Sequence, residues 1–384
     1  MNVFISCGEP SGDVYAAALV TRILERRPGT RAWGMMGPKC EAASGDVSEL
    51  PRWSYRELGI MGVRDALAAL PRLLRLRRAM VRAILEARPS LVVLVDSPDY
   101  HLPLAASLRR AGWAGRLVSL VPPTVWAWRS GRVEPLKAHF DLCLPLFSFE
   151  HDHLVAHGAR SAWTAHPLVH ELGGYVVPGD LAARVAGERI VAVMPGSRAR
   201  EVRTHLSDFL GAAEILKGEG LRPVLSVAPG LPTDAAEELR ARAPARGIDL
   251  WEGEGRALMA ASEAVLGVSG TVAVEAMLLR RFMTVVYKVA PLTHLLLRSL
   301  VHVPYISIPD LLVDAPPMPW GTPLYPELIG RAACPARMAD AVLRYLGDDA
   351  TREEISRRLE AAVSLMGTGD AASFWADRSL EGLI

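Results

Sequence analysis

Glutamine is absent from this chain, Asn2 is its only asparagine, and its basic residues are almost all arginine. Such a bias reflects genomic base composition or a warm habitat and says nothing about chemistry. Cysteine is sparse: Cys7, Cys40, Cys143 and Cys334 are scattered, with no paired spacing for zinc or a redox motif. They fit the reduced thiols of a cytoplasmic protein. No apolar run is long enough for a membrane span; the best stretch, residues 295–303, is broken by Arg298 and His302. Residues 1–5 enter a strand at once, so no signal peptide is expected. Net charge is also nearly missing, +1 over 384 residues, which gives no global attraction to a polyanion. The arginines follow no RNP or helix-turn-helix pattern, so no nucleic acid is expected as a partner.

What is present is apolar surface, 50% of the residues, in a chain long enough for two domains of α/β size. Its middle carries the sharpest signal. Residues 190–194 are a short apolar run bounded by Pro195-Gly196 and read as a buried strand. Ser197 can cap the helix whose apolar positions recur as Val202, Leu206, Phe209, Leu210 and Ala213. Strand, glycine turn and helix start together offer N–H groups and a dipole to an anion. Arg198 adds a planar cation suited to a diphosphate, although a structural turn with a surface arginine has the same pattern.

The N-terminal half alternates strand and helix. Gly8-Glu9-Pro10-Ser11-Gly12-Asp13 is the first strand-to-helix loop, where doubly wound domains gather ligands. It is neither a dinucleotide fingerprint nor a P-loop, and Glu9 and Asp13 read equally as helix-start residues or as substrate ligands. Residues 91–95 are a continuous apolar run ending in Asp96-Ser97-Pro98-Asp99-Tyr100, as expected of a central parallel strand. A half-desolvated aspartate at such a strand end can take a proton from a hydroxyl. Asp99 has a helix-cap explanation and Asp96 has none, so Asp96 is the candidate base. Residues 117–121 lead into Trp126-Ala127-Trp128-Arg129, aromatic side chains that suit a cleft better than an open loop.

Residues 63–88 are amphipathic, with leucines on one broad face and Arg64, Arg72, Arg75, Arg78 and Arg82 beside it. Pro71 should kink this helix or start a second one. Core packing with a solvated edge is one reading, and contact with an anionic lipid surface the other. The glycine and proline of residues 173–179 mark a linker, and the second half repeats the strand–helix pattern. Ser269-Gly270-Thr271 opens a helix that can be capped by its hydroxyls or receive phosphate. Glu275, one turn on, could accept from both hydroxyls of a ribose. The loops at residues 306–312 and 326–328 face the same edge.

These segments, with Ile60-Met61-Gly62, resemble in kind and order those of the lipid-A-disaccharide synthase family; Trp126-Ala127-Trp128-Arg129 and Gly196-Ser197-Arg198 with Glu201 are the specific ones. The likeness runs from the first strand to about residue 328. It implies a GT-B glycosyltransferase: two facing Rossmann-like, doubly wound α/β domains, 1–175 for the acceptor and 185–364 for the UDP-sugar, with the cleft as active site and a helix near 365–384 packing back on the first. It implies transfer of 2,3-diacylglucosamine from UDP to 2,3-diacylglucosamine 1-phosphate, inverting the anomeric centre with no metal or cofactor. By position Asp96 would be the base. Gly196, Ser197, Arg198, Glu201, Ser269, Gly270, Thr271, Glu275 and Asp310 would lie on the donor side, and Glu9, Ser11, Asp13, Met61, Trp126, Trp128 and Arg129 on the acceptor side. Such an enzyme is expected in the cytoplasm, peripheral to the inner face of the inner membrane, with a homodimer allowed for.

Three places depart from the family pattern. Ala165-His166-Pro167 stands where glycine usually precedes His-Pro, and His170 where an aspartate is expected. Asp310 replaces an asparagine, and residues 313–325 are longer than usual. A different lipid or sugar acceptor is therefore a second expectation. A UDP-sugar 2-epimerase of the same fold and a non-catalytic UDP-sugar or lipid binder are the remaining rivals.

Overall fold

The computed structural model describes residues 1–45, 49–58, 63–288 and 303–383, and the side chains of 63–68 lie outside the description. The chain forms two compact units, Met1–His170 with Gly367–Ile384, and Glu171–Met366. In the first, the order is β1 (Asn2–Cys7), α1 (Pro10–Arg26), β2 (Arg31–Met36), α2 (Pro38–Ser44), β3 (Trp53–Ser54), α3 (Val63–Ala87), β4 (Leu91–Val95), α4 (Pro98–Arg110), β5 (Arg116–Leu120), α5 (Val133–His139), β6 (Leu142–Leu144) and α6 (Ser148–Ala156). A connecting helix α7 (Pro167–Leu172) leads to α8 (Gly179–Val185), β7 (Ile190–Met194), α9 (Ala199–Gly218), β8 (Arg222–Ser226), α10 (Thr233–Arg242), β9 (Asp249–Trp251) and α11 (Gly255–Ala260). Then come β10 (Ala264–Val268), α12 (Thr271–Leu278), β11 (Phe282–Tyr287), α13 (Ile308–Leu312), β12 (Glu327–Ile329), α14 (Pro335–Gly347), α15 (Asp349–Ser364) and α16 (Ala371–Leu380).

Each unit holds one six-stranded parallel sheet, ordered β3-β2-β1-β4-β5-β6 and β12-β11-β10-β7-β8-β9. Counted from its own first strand, the second order is the first reversed, so both units have the doubly wound topology. Each switches direction at one strand pair, β1/β4 and β7/β10, and ligands of such sheets bind outside the strand ends at that point. β4 is apolar throughout because both faces are covered. Val92 and Leu94 join Phe4, Met80, Ile84 and Leu104 under α3 and α4. Leu91, Val93 and Val95 join Leu19, Ile23 and Trp375 under α1 and α16.

Two segments differ from their sequence reading. The loop expected at residues 306–312 carries α13 at Ile308–Leu312. The loop expected at 326–328 carries β12, since the Pro326 carbonyl accepts from Val285 N–H and extends pairing with β11. The α3 helix runs through Pro71 without a break in helical assignment. Met61 and the apolar stretch 292–301 lie outside the described residues.

Candidate functional site

In the first unit the switch point is built from left-handed backbone. Asp96 and Ser97 follow β4 with φ of 55° and 47°, and Val121 follows β5 with φ of 55°. Left-handed geometry is uncommon outside glycine, above all for a β-branched residue, and holding it costs about 1–3 kcal/mol per position. Neighbours enforce it. His101, 2% exposed, donates from Nδ1 to the Asp96 carbonyl at 2.6 Å and accepts at Nε2 from the Ser6 hydroxyl at 2.8 Å. Burial lowers its pKa to about 4, which keeps the ring neutral and this tautomer in place. Gly8 supplies the other wall: a Cβ there would stand 2.2 Å from Ser97 Oγ. The Asp96 carboxyl is half-buried, and its pKa is raised, first by burial and then by the charge of Glu9, against the Ser97 N–H. His101 and Val121 were not singled out in the sequence; only their positions beside strand ends could have found them.

The other acceptor-side candidates separate. Glu9 and Ser11 are exposed at the start of α1. Asp13 does not share that face: its carboxylate is buried, accepting from Gly37, Lys39 and Cys40 N–H at 3.0 Å each. It therefore caps α2, a structural role. Trp126 also points inward. Its Nε1 donates to Glu150 Oε1 at 3.0 Å and its ring meets Phe149 edge-on at 4.9 Å. Glu150, unnoticed in the sequence, is 8% exposed and accepts further from Leu146 and Phe147 N–H. Burial pushes its carboxyl up to about 7. Trp128 remains at the surface, with the Arg129 guanidinium 4.4 Å and the Arg132 guanidinium 5.7 Å from its ring centroid. Asp99 binds both arginines rather than capping α4.

In the second unit the two helix starts differ. Gly196 has φ of 113°, and a Cβ there would meet Glu201 Oε2 at 2.7 Å. That oxygen accepts from Ser197 N–H at 3.2 Å and Arg198 N–H at 3.3 Å, while Oε1 accepts from Arg198 Nη1 at 2.9 Å. Glu201 is thus the cap of α9, the task the sequence suggested for Ser197. Arg198 stays 72% exposed. The start of α12 has no side-chain cap: Ser269, Gly270 and Thr271 leave it open. Behind it, Glu275 Oε1 accepts from Arg256 Nε at 2.9 Å, and Arg256 Nη1 donates to Glu171 at 2.7 Å. Burial raises the Glu275 pKa, with Arg256 opposing.

Asp310 is not a surface ligand. It is 1% exposed, and Oδ1 accepts from Leu324 N–H at 2.7 Å and Tyr325 N–H at 3.0 Å. Oδ2 has no partner among the described residues, and burial lifts the carboxyl to about 7. Residues 306 and 307 are held the same way, with Glu327 accepting from Ile306 and Ser307 N–H. Among the described residues no group of three or more His, Cys, Asp or Glu side chains is arranged to hold a metal ion.

Residues 3–366 match the family model described as lipid-A-disaccharide synthetase. The lipid-A-disaccharide synthase of Pseudomonas aeruginosa (strain UCBPP-PA14) is 36% identical over 378 residues, covering 97% of this chain and 96% of the relative. Among solved structures, S. aureus MnaA in complex with UDP aligns at a TM-score of 0.62 with 11% identity, over 99% of this chain and 96% of that one. The calicheamicin glycosyltransferase CalG4 aligns at 0.57 with 17% identity, over 100% and 98%. At such identities the structural likeness shows the fold alone, a GT-B type α/β architecture. The family match is of another order, and by it this chain belongs to the lipid-A-disaccharide synthase family of glycosyltransferases.

Proposed function

We propose that the chain transfers 2,3-diacylglucosamine from its UDP carrier to 2,3-diacylglucosamine 1-phosphate, inverting the anomeric centre and using no metal or cofactor. The observation that carries this is Asp96, a half-buried carboxyl of raised pKa in a strained turn at the first unit's switch point. In this reading Asp96 takes the proton of the acceptor hydroxyl. The freed oxygen bonds to the anomeric carbon from the face opposite UDP, and the carbon–oxygen bond to the diphosphate breaks. The charge gathering on UDP meets the uncapped start of α12 and Arg198, fixed donors of the kind that stabilise developing charge. Glu275, pinned by Arg256, takes the ribose hydroxyls. Trp128 and Arg129 offer an aromatic face and a cation to the acceptor.

The acylated substrates place the work at a bilayer, which we assign to the inner face of the inner membrane. No described helix is long and apolar enough to cross a membrane. On α3, Leu76, Met80 and Ile84 belong to the core, whereas Leu70 is 50% exposed, so the lipid contact is assigned to the helix's first half. Mass spectrometry of products from UDP-diacylglucosamine, with and without the monosaccharide 1-phosphate, tests the function. A disaccharide phosphate and UDP should form only with the acceptor. UDP release without acceptor would favour an epimerase-like enzyme, and no turnover a binding protein.

A further inference from the structure

The second half of α3 carries a feature that the proposed transferase does not use. Arg77, Arg78, Arg82 and Arg88 line a groove of about 720 Å³ on the outside of α3 and α4, within the range of small-molecule sites, about 300–1,000 Å³. Its Arg88 end lies where β4 begins, whereas Asp96 follows the last residue of that strand. Five residues of strand, about 17 Å, separate those levels.

In three other helices an arginine is paired with a carboxylate four residues away: Arg242 with Glu238, Arg344 with Asp340, Arg358 with Glu354. In the groove Arg78 and Arg82 are themselves four apart, a like-charge spacing that destabilises a helix. The lone carboxylate, Glu86, stands four residues from Arg82, yet among the described residues none of the four arginines has an ion-pair partner. Helix stability alone does not select this arrangement. At about 100° per residue, Val81 and Leu85 fall between Arg77 on one side and Arg78 and Arg82 on the other. Both are half-buried and form an apolar strip along the groove. Ser107, across on α4, adds a hydroxyl. Guanidinium forks converging on one space match the oxygens of a phosphate, and the strip between them matches an apolar body.

We propose that this groove is a second anion-binding site of the first unit, taking a phosphomonoester joined to an apolar group. Such a group is carried by a lipid headgroup or by a soluble phosphate ester. The full-length protein is tested with two probes: hexyl phosphate by calorimetry, and sedimentation with phosphatidylcholine vesicles with and without phosphatidic acid. At least one probe should bind, at least tenfold more weakly to an Arg78→Ser/Arg82→Ser variant and more tightly to Glu86→Gln. Arg72→Ser, whose side chain is engaged by Glu57 instead, should bind hexyl phosphate as the wild type does. Arginine-dependent binding to phosphatidic acid vesicles alone assigns the site to a headgroup, and binding of hexyl phosphate assigns it to a soluble ester. Circular dichroism of the exposed-residue variants controls for folding, and no readout uses transfer, so failure here leaves the transferase reading intact. Failure of both probes to bind, or equal binding by wild type, the double variant and Glu86→Gln, overturns the proposal.

Discussion

Replacing Glu150 with glutamine separates the burial of a charge from the bonds that surround it. In the wild type both carboxylate oxygens are used, Oε1 by Trp126 and Oε2 by the Leu146 and Phe147 N–H groups. Burial nevertheless wins, lifting the pKa from 4.5 to about 7. The folded state then holds this proton more tightly than the unfolded chain does. Stability falls as pH rises from about 4.5 to about 7 and is level above that. At about 1.4 kcal/mol per pKa unit, the rise is worth about 3 kcal/mol.

Glutamine fills the same space but has one acceptor, so one of the three donors faces an NH₂ group, at a cost of about 1–3 kcal/mol. The protonated wild type has nearly the same defect. The two proteins should therefore be alike near pH 5, and glutamine should be the more stable near pH 8. For a unit of this size 1 kcal/mol shifts Tm by about 2–4 °C, so the gap should change by about 6–12 °C across that range. Asp310, also lifted to about 7 by burial, imposes a slope of the same sign on both proteins and cancels in the difference. Calorimetric scans across pH make the measurement. Parallel curves for the two proteins would mean that the three donors offset the burial, and the reasoning would fail.

Asp96→Asn should cut transfer by about 10²–10⁴-fold while UDP binding holds. Wild-type kcat should fall as pH drops through an Asp96 pKa above its ordinary value of 3.8; Asn activity near wild type would return the base assignment to another group. Arg198→Ala and Glu275→Ala should each weaken UDP binding by about 1.5–3 kcal/mol, the worth of a charge-assisted bond, as read by calorimetry; unchanged affinity in both would remove the donor site from the second unit. Asp13→Ala should lower Tm more than any of these, because three N–H groups lose their acceptor, two of them, Gly37 and Cys40, buried, at about 1–3 kcal/mol each, with UDP affinity unmoved. Wild-type Tm in that variant would show that α2 finds another cap.

The sheets were legible in the sequence because their signal is local. β4, β7 and β10 coincide with apolar runs bounded by turn residues, and two buried faces demand such runs. The edge strand β12 was not legible: three residues after a proline carry no period, and only pairing with β11 makes them a strand. Side-chain direction was the larger gap. The motif holding Trp126 and Trp128 reads as one aromatic cluster, yet Trp126 turns in to Glu150 and Trp128 turns out to two arginines. Asp13 and Glu9 share a loop, and a single helical turn sends one to the core and the other to solvent. No spacing rule separates such pairs, because the partners that decide lie far off in sequence, 24 residues away for both Trp126 and the Gly37 bond of Asp13.

The two phosphate-type helix starts of the second unit show what this gap does to a functional argument. From sequence both Ser197 and Ser269–Thr271 present small residues at a helix N-terminus, and each reads as an anion site. In the structure Glu201 has already brought a carboxylate to the first, holding the Ser197 and Arg198 N–H groups and the Arg198 fork. A second anion there must compete with a tethered one, which needs no translational entropy to arrive. The start of α12 has no such competitor, and Glu275 stands one turn behind it with Arg256 fixing its direction. In the proposed transferase the backbone donors that receive the diphosphate are therefore those of α12. Arg198 would then contribute as a cation held by Glu201 beside the loop, a role that lysine, with one point charge in place of a fork, would serve poorly. Glu201→Gln would keep the cap's shape while giving up its charge. On this reading it weakens the Arg198 tether and so UDP affinity, whereas if the α9 start itself received the diphosphate, removing the competing charge would strengthen it.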